Sequence, residues 1–282
     1  MWFKIDPFKI VVDDKAIDCY KYRCKDRKCN KNMSIYYDSF FHGLKKPAHQ
    51  VLACLYFFLQ RFPTAGVADL LVSWDIECVQ RFFTKFRSII NEEISNYLLY
   101  GDGTQDYDKM IGGPGSIVQV DESAFGKRKY GRGHKVNTKW VFGGIEIEED
   151  EDGRQRGGRF FAIVVPNRNK PTLEKVIQQF IRRGTHIVSD GWGGYTGLED
   201  LEGKEYRHTV VNHSENFVDP DTGAHTNTIE GKWNYLKRTI GRPAFRSDVI
   251  LQAHLFEEMW RKDNEDDLWE AALVALREFV QN

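Results

Sequence analysis

Apolar residues along the chain change their period near residue 115. From Pro47 to Tyr100 they recur at three and four: Val51, Leu52, Leu55, Tyr56 and Leu59, then Val79, Phe82, Phe83, Phe86, Ile89 and Ile90. That spacing predicts helices with one buried face. Pro63-Thr64-Ala65-Gly66 breaks the first run, a second helix begins near Val67-Ala68-Asp69-Leu70-Leu71, and Ser73-Trp74-Asp75 turns into a third over Ile76 to Tyr100. Gly101-Asp102-Gly103-Thr104 and Gly112-Gly113-Pro114-Gly115 bracket a linker, which places a domain boundary between residues 101 and 115.

Past the linker the apolar runs are short and strand-like. Ile117 to Phe125 suits a buried strand that carries a carboxylate, Asp121. Thr138 to Ile147 and Arg159 to Val165 read as a hairpin around the acidic, Gly-rich tip Glu148 to Gly158. Pro171-Thr172-Leu173-Glu174 opens a helix, capped by Thr172 or by the residues before Pro171, with Leu173, Val176, Ile177 and Phe180 buried. Gly184 ends it, and a strand from Thr185 to Ser189 delivers Asp190. His208 to Asn212 gives a fifth strand, a helix starts near Thr226, and Asp248 to Asn282 reads as helices that pack on the sheet or on a second subunit. Three strands, a helix, a strand, a strand and a helix describe a mixed α/β sheet with flanking helices, the order of a ribonuclease H-like fold. In that order the first and fourth strands are central neighbours. Asp121 and Asp190 then sit side by side, with Glu230 facing them from the following helix.

Three segments follow: a basic module over 1–45, a helical domain over 46–110 and the α/β domain with its helical tail over 111–282. Lys9-Ile10-Val11-Val12 and Ser34-Ile35-Tyr36-Tyr37 are strand-like pieces of the first. The second has the short helices and tight turns of a helix-turn-helix, with Gln80, Arg81, Lys85 and Arg87 as contacts to DNA; a plain helical bundle fits the same pattern.

Composition narrows the class. With 41% hydrophobic residues the chain supports a sizeable core, and no apolar run reaches the ~20 residues that span a bilayer. Met1 to Asp6 has no signal-peptide pattern, so the expected location is inside the cell: the nucleus in a eukaryotic host, the cytoplasm otherwise. The net charge is only −1, yet basic residues gather in Lys21 to Lys31, Lys127 to Lys139 and Lys232 to Arg246. Two of these patches flank the suspect acids. Five cysteines make no secreted disulfide framework. Cys19, Cys24 and Cys29, five residues apart, would suit half of a structural Zn2+ ribbon, but no second half is visible, and free cysteines are the favoured reading.

Each acid alone says little, because the chain has 41 acidic residues and most must be solvated. Together Asp121, Asp190 and Glu230 form a set without His or Cys partners, which suits hard divalent cations, Mg2+ or Mn2+. Two such ions about 3.5–4 Å apart can activate an attacking oxygen and steady a leaving oxygen at a phosphodiester. Asp121 would bridge both ions, and Asp190 and Glu230 would each hold one. Glu122 alternates to the opposite face, as a salt-bridge or supporting residue. His134, His213 and His225 read as surface or core histidines that could otherwise position substrate. Trp192 and Trp233 read as packing residues, with stacking on an unpaired base as the alternative. Lys127 to Lys135 reads as a phosphate-tracking loop. Glu230 and Lys237 lie two helical turns apart, so both project from one face, where the lysine could grip a phosphate.

Val120-Asp121-Glu122-Ser123, followed by Gly126-Lys127-Arg128-Lys129-Tyr130, Gly131-Arg132-Gly133 and Trp140-Val141-Phe142-Gly143-Gly144, resembles Merlin-type DDE transposases and their bacterial insertion-sequence relatives with an ISXO-like domain. Ser189-Asp190-Gly191-Trp192 and His225-Thr226-Asn227-Thr228-Ile229-Glu230-Gly231-Lys232-Trp233 match that family's second and third blocks. The resemblance runs from about Cys24 to the C-terminus. It implies a DNA transposase that cuts at terminal inverted repeats and joins freed 3′ ends to target DNA. Asp121, Asp190 and Glu230 are then its metal-binding catalytic acids and Lys237 its trailing basic residue; the basic clusters supply Lys127, Arg128, Lys129, Arg132, Lys135 and Arg238 for double-stranded DNA. A homodimer or larger assembly is implied as well. A departure is the leading zinc-ribbon-like region, where only the half with Cys24 and Cys29 remains. A domesticated DNA-binding regulator and a nuclease of the same fold are the alternatives; a glycosidase would also use paired acids, but basic flanks favour a polyanionic substrate.

Overall fold

The computed structural model describes residues 3–12, 15–26, 28–29, 31–34, 40–41, 46–71, 73–99, 110–126, 138–211 and 225–279. The chain divides into two compact units, Met1–Lys85 with Asp267–Asn282, and Phe86–Asp266. The 101–115 linker falls largely outside the described residues, as do Ile35, Tyr36 and Tyr37 of one expected strand.

In the first unit β1 (Phe3–Val12) and β2 (Lys15–Cys24) pair antiparallel, and β3 (Asn32–Ser34) adds to β2. Helix α1 (Ala48–Leu59) buries Val51, Cys54, Leu55, Phe58 and Leu59, the stripe its period predicts. Helix α2 (Thr64–Leu70) starts inside the expected break, because Pro63 at its N-cap supplies a fixed extended φ and needs no donor there. Helix α3 (Ile76–Leu99) follows. Its first turns enter an aromatic core in which Phe40 meets Phe82 at 5.4 Å and Phe58 meets Phe83 at 5.1 Å. Helix α7 (Leu268–Glu278) belongs to this unit too: Trp269 packs edge-on to Tyr56 at 6.5 Å, and the following Phe279 meets Phe40 at 6.1 Å. The C-terminal tail was expected on the sheet or on a second subunit; this last helix instead completes an aromatic core.

The second unit is built on a five-stranded mixed sheet of order β6-β5-β4-β7-β8. Its strands are β4 (Ile117–Phe125), β5 (Lys139–Glu149), β6 (Gln155–Val165), β7 (His186–Asp190) and β8 (Arg207–Val211). β4 pairs antiparallel with β5 and parallel with β7, so the first and fourth strands of the unit are central neighbours, as the element order requires. The β5–β6 tip is tighter than the acidic run suggests. Asp150 accepts from the N–H groups of Asp152 and Arg154, Gly153 takes φ 74° at the turn, and Glu148 pairs with Arg156 across the strands at 3.2 Å, so charged residues extend both strands. Helix α4 (Lys170–Phe180) is capped by Asn169, whose side chain accepts from Thr172 N–H. Helix α6 (Asp248–Asp263) closes the open edge: Gln252 accepts from Val164 N–H at 2.7 Å and donates to Ala162 O at 3.2 Å, pairing backbone groups of edge strand β6. This mixed α/β arrangement is compatible with a ribonuclease H-like transposase domain.

Candidate active site

Helix α5 (Asn227–Ile240) runs along one face of β4, and three side-chain contacts lock the two together. Gln119 accepts from the N–H of Ile229 at 3.1 Å, Asp121 accepts from the indole N–H of Trp233 at 2.9 Å, and Ser123 accepts from Lys237 at 2.6 Å. Two residues of strand advance about 6.7 Å and four of helix about 6 Å, so steps of two and four stay in register. The sheet alternation puts Gln119, Asp121, Ser123 and Phe125 on this face.

Gln119 holds the start of α5. It is 2% exposed, and its oxygen satisfies one of the N–H groups that a helix N-terminus leaves unpaired. Since Ile229 N–H can only donate, the amide oxygen must face it, so the amide nitrogen faces His225 Nδ1 at 3.2 Å and donates to it. Gly143 is paired with Asp121 across the ladder, and a Cβ there would lie 2.6 Å from the Trp233 ring and 2.5 Å from Phe161 O. Only a glycine lets the indole reach Asp121.

The structure brings the three sequence-expected acids within electrostatic reach of one another. Burial pushes Asp121 up to about 6; hydrogen bonds from the backbone at Glu122 and from Trp233 oppose the shift, and the charges of Asp190 and Glu230 add to it. Asp190 ends β7, and its Oδ1 accepts the N–H of Trp192 at 3.0 Å. Glu230, in the first turn of α5, accepts from the Thr226 hydroxyl at 3.4 Å. Among the described residues no three His, Cys, Asp or Glu side chains stand close enough to form an assembled metal-ligand set, carboxylate or zinc-type. The donor chemistry nonetheless fits a hard divalent cation: oxygen ligands only, on groups whose mutual repulsion a cation would relieve.

Glu122, on the other face, is more deeply involved than the alternation argument alone indicates. Burial pushes it up to about 7; the nearby Tyr195 hydroxyl and Arg168 pull it down, and Asp121 and Asp190 push it further up. Among the described residues no salt bridge engages it. Glu122 Oε1 and Tyr195 Oη are both buried without a hydrogen-bond partner of normal geometry, although each lies near enough to act on the other's proton.

The basic candidates divide. Lys127, Arg128, Lys129, Arg132 and Lys135 lie outside the described residues, as do His134 and His213. Lys237 is turned onto the sheet at Ser123 and over the Phe125 ring at 5.3 Å, while Arg238 is exposed. In the helical segment Gln80 and Arg81 are exposed, but Lys85 donates to Phe40 O and Arg87 is bonded to buried Glu257 at 2.7 Å, so these two are engaged inside the protein rather than held out for DNA. Cys24, Cys29, Cys54 and Cys78 are free thiols, and burial followed by the neighbouring Cys78 pushes Cys54 up to about 12, as for a core thiol. Gln119 and Tyr195 escape a reading by sequence, and Gly143 is visible there only as part of a motif, because the roles of all three depend on which elements meet.

Residues 110–243, from the lead-in to β4 through α5, match the ISXO2-like transposase domain family. A protein from Haemophilus influenzae described as an uncharacterized transposase-like protein is 25% identical over 108 residues, which is 38% of this chain and 84% of that protein. The matched segment contains all three acids and every residue that locks α5 to β4, so the similarity to an insertion-sequence transposase domain spans the whole candidate site.

Proposed function

We propose that this chain is a DNA transposase of the DDE type, which cuts at terminal inverted repeats and joins the freed 3′ ends to target DNA. Asp121, Asp190 and Glu230 are its catalytic carboxylates. One observation supports the reading: Asp190 at the end of β7 and Glu230 in the first turn of α5 are near enough to half-buried Asp121 on β4 that both raise its proton affinity. Acids that repel one another around a partly desolvated carboxylate are costly to fold, and such groups mark sites that take up a cation or a proton.

Asp121, Asp190 and Glu230 would together hold Mg2+ or Mn2+. Bound there, the ions would neutralise charge on the phosphodiester and sharpen an attacking oxygen. The protein's own part is orientation. Trp233 fixes the rotamer of Asp121 through Oδ2, and Gln119 fixes the first turn of α5, from which Glu230 projects. Arg238 and the Lys127–Lys135 cluster contact DNA phosphates; Lys237 does so after exchanging Ser123 for a phosphate oxygen. The helical segment, with Gln80 and Arg81 exposed, is a second DNA-contacting region, and self-association brings two DNA ends together.

The test is a strand-transfer assay with magnesium that compares the parent chain with Asp190→Asn. The parent should nick and join an end-containing duplex and the variant should do neither. Equal activity removes Asp190 from the mechanism. Nicking without joining points to a nuclease, and a mobility shift without nicking to a DNA-binding regulator.

A further inference from the structure

We propose that Trp192 is a stacking platform for an unpaired nucleobase beside Asp190, which makes the end of β7 a binding subsite for single-stranded DNA. This rests on the reading of Asp190 as an acid that acts on DNA. Trp192 is 44% exposed, although three residues later Tyr195 is 1% exposed. A core packing residue would be covered; this indole is open to solvent and yet fixed in place. Its backbone N–H donates to Asp190 Oδ1 at 3.0 Å, and its indole N–H donates to Arg168 O at 3.1 Å.

The guanidinium of Arg168 completes the support, lying 4.6 Å from the Trp192 ring centre and 4.0 Å from that of Trp140. A cation between two indoles is held by both ring faces and holds them in turn. The flanking glycines leave room for a ligand. A Cβ at Gly193 would meet nothing within 4 Å, whereas one at Gly194 would strike the Trp192 ring at 2.8 Å, so Gly194 lets the indole lie down and Gly193 leaves its surroundings open. A rigid, solvent-facing indole loses little entropy when a flat partner covers it. Every base has a π-face, so such a platform takes any base rather than reading sequence. Because Trp192 is bonded directly to the Asp190 carboxylate, the stacked base belongs to a nucleotide close to the phosphate on which the acids act.

The experiment measures binding in chelator, with no cleavage, of a short fluorescent oligothymidylate and of an abasic strand of equal length and charge. The parent and Asp190→Asn should bind the thymidylate about tenfold more tightly than the abasic strand. Trp192→Ala should lose that preference and keep the abasic affinity, and Trp192→Phe should recover most of it. Equal weakening on both strands, or no preference in the parent, overturns the proposal. If Trp192→Ala fails to fold, the parent alone decides: 2-aminopurine placed in the thymidylate should be quenched on saturation, and unchanged emission overturns the platform. Cleavage with magnesium is scored separately, so loss of the catalytic reading and loss of the platform give different results.

Discussion

Two carboxylates in the second unit, half-buried Asp121 and buried Glu257, both lose water on folding, and their surroundings resolve the cost in opposite ways. Around Asp121 the neighbouring charges are Asp190 and Glu230, which add to the penalty of burial and push it up to about 6. Around Glu257, 5% exposed, burial pushes the same way, but Arg87 at 2.7 Å and Arg261 at 2.9 Å overcome it and hold the carboxyl below its ordinary range. His254, 3.9 Å away, is pushed down to about 4 by burial and then by Arg87, and so stays neutral. A compensated buried acid serves the fold. An uncompensated one is a deficit that the fold tolerates, and something outside the protein can cancel it.

The largest effect expected from this contrast is on stability at Glu257. Glu257→Gln removes the negative charge that half-buried Arg87 and buried Arg261 share and should cost about 3–5 kcal/mol in chemical denaturation, with little change in DNA cleavage per folded molecule. At the other pole Asp190→Asn should reduce magnesium-dependent cleavage by about a hundred- to a thousandfold, while the melting curve stays that of the parent. Opposite in sign is Asp121→Asn. The parent carboxyl shifts from 3.8 unfolded to about 6 folded, so removing the charge should stabilise the protein by up to about 3 kcal/mol at neutral pH in chelator while ending activity.

That variant also fixes a pH signature. A raised folded-state value favours the folded form below the unfolded value, and this advantage is lost as pH rises through the folded value. The parent should therefore lose stability between about pH 4 and 6 relative to Asp121→Asn. For Glu257, whose folded-state value is depressed, stability is instead lost on acidification below about 4.5. Parallel pH profiles for the parent and Asp121→Asn would mean that the two carboxylates are not in contrasting environments. The smallest effect is at Gln119→Ala, which leaves the buried Ile229 N–H unpaired. It should cost about 2 kcal/mol by thermal unfolding and should lower cleavage through the displaced first turn of α5.

Much of the fold was legible because its elements announce themselves locally. The run into Asp121, the run into Asp190, the Asn169-Lys170-Pro171 helix start and the three-and-four spacing of α1 and α3 each depend on a short window, and all appear where the periods put them. The element order then fixed β4 beside β7. What stayed hidden depends on partners distant in sequence. That Gly143 makes room for Trp233, that Gln119 caps a helix 110 positions away and that Tyr195 lies under Glu122 are facts of packing. Lys85 and Arg87 looked like DNA contacts for the same reason: nothing near them in sequence shows that Phe40 O and Glu257 already occupy them. The placement of α7 in the first unit was equally illegible, since its apolar face fits any apolar surface.

The paired advance of β4 and α5 has a consequence for how such a chain tolerates changes in length. The contacts 119–229, 121–233 and 123–237 progress two by four. One residue inserted within the strand would turn every later side chain to the wrong side, and one inserted within the helix would rotate its later residues by about 100°. The connecting loops carry no such restriction, so relatives are free to lengthen or shorten there while these two segments keep a fixed count.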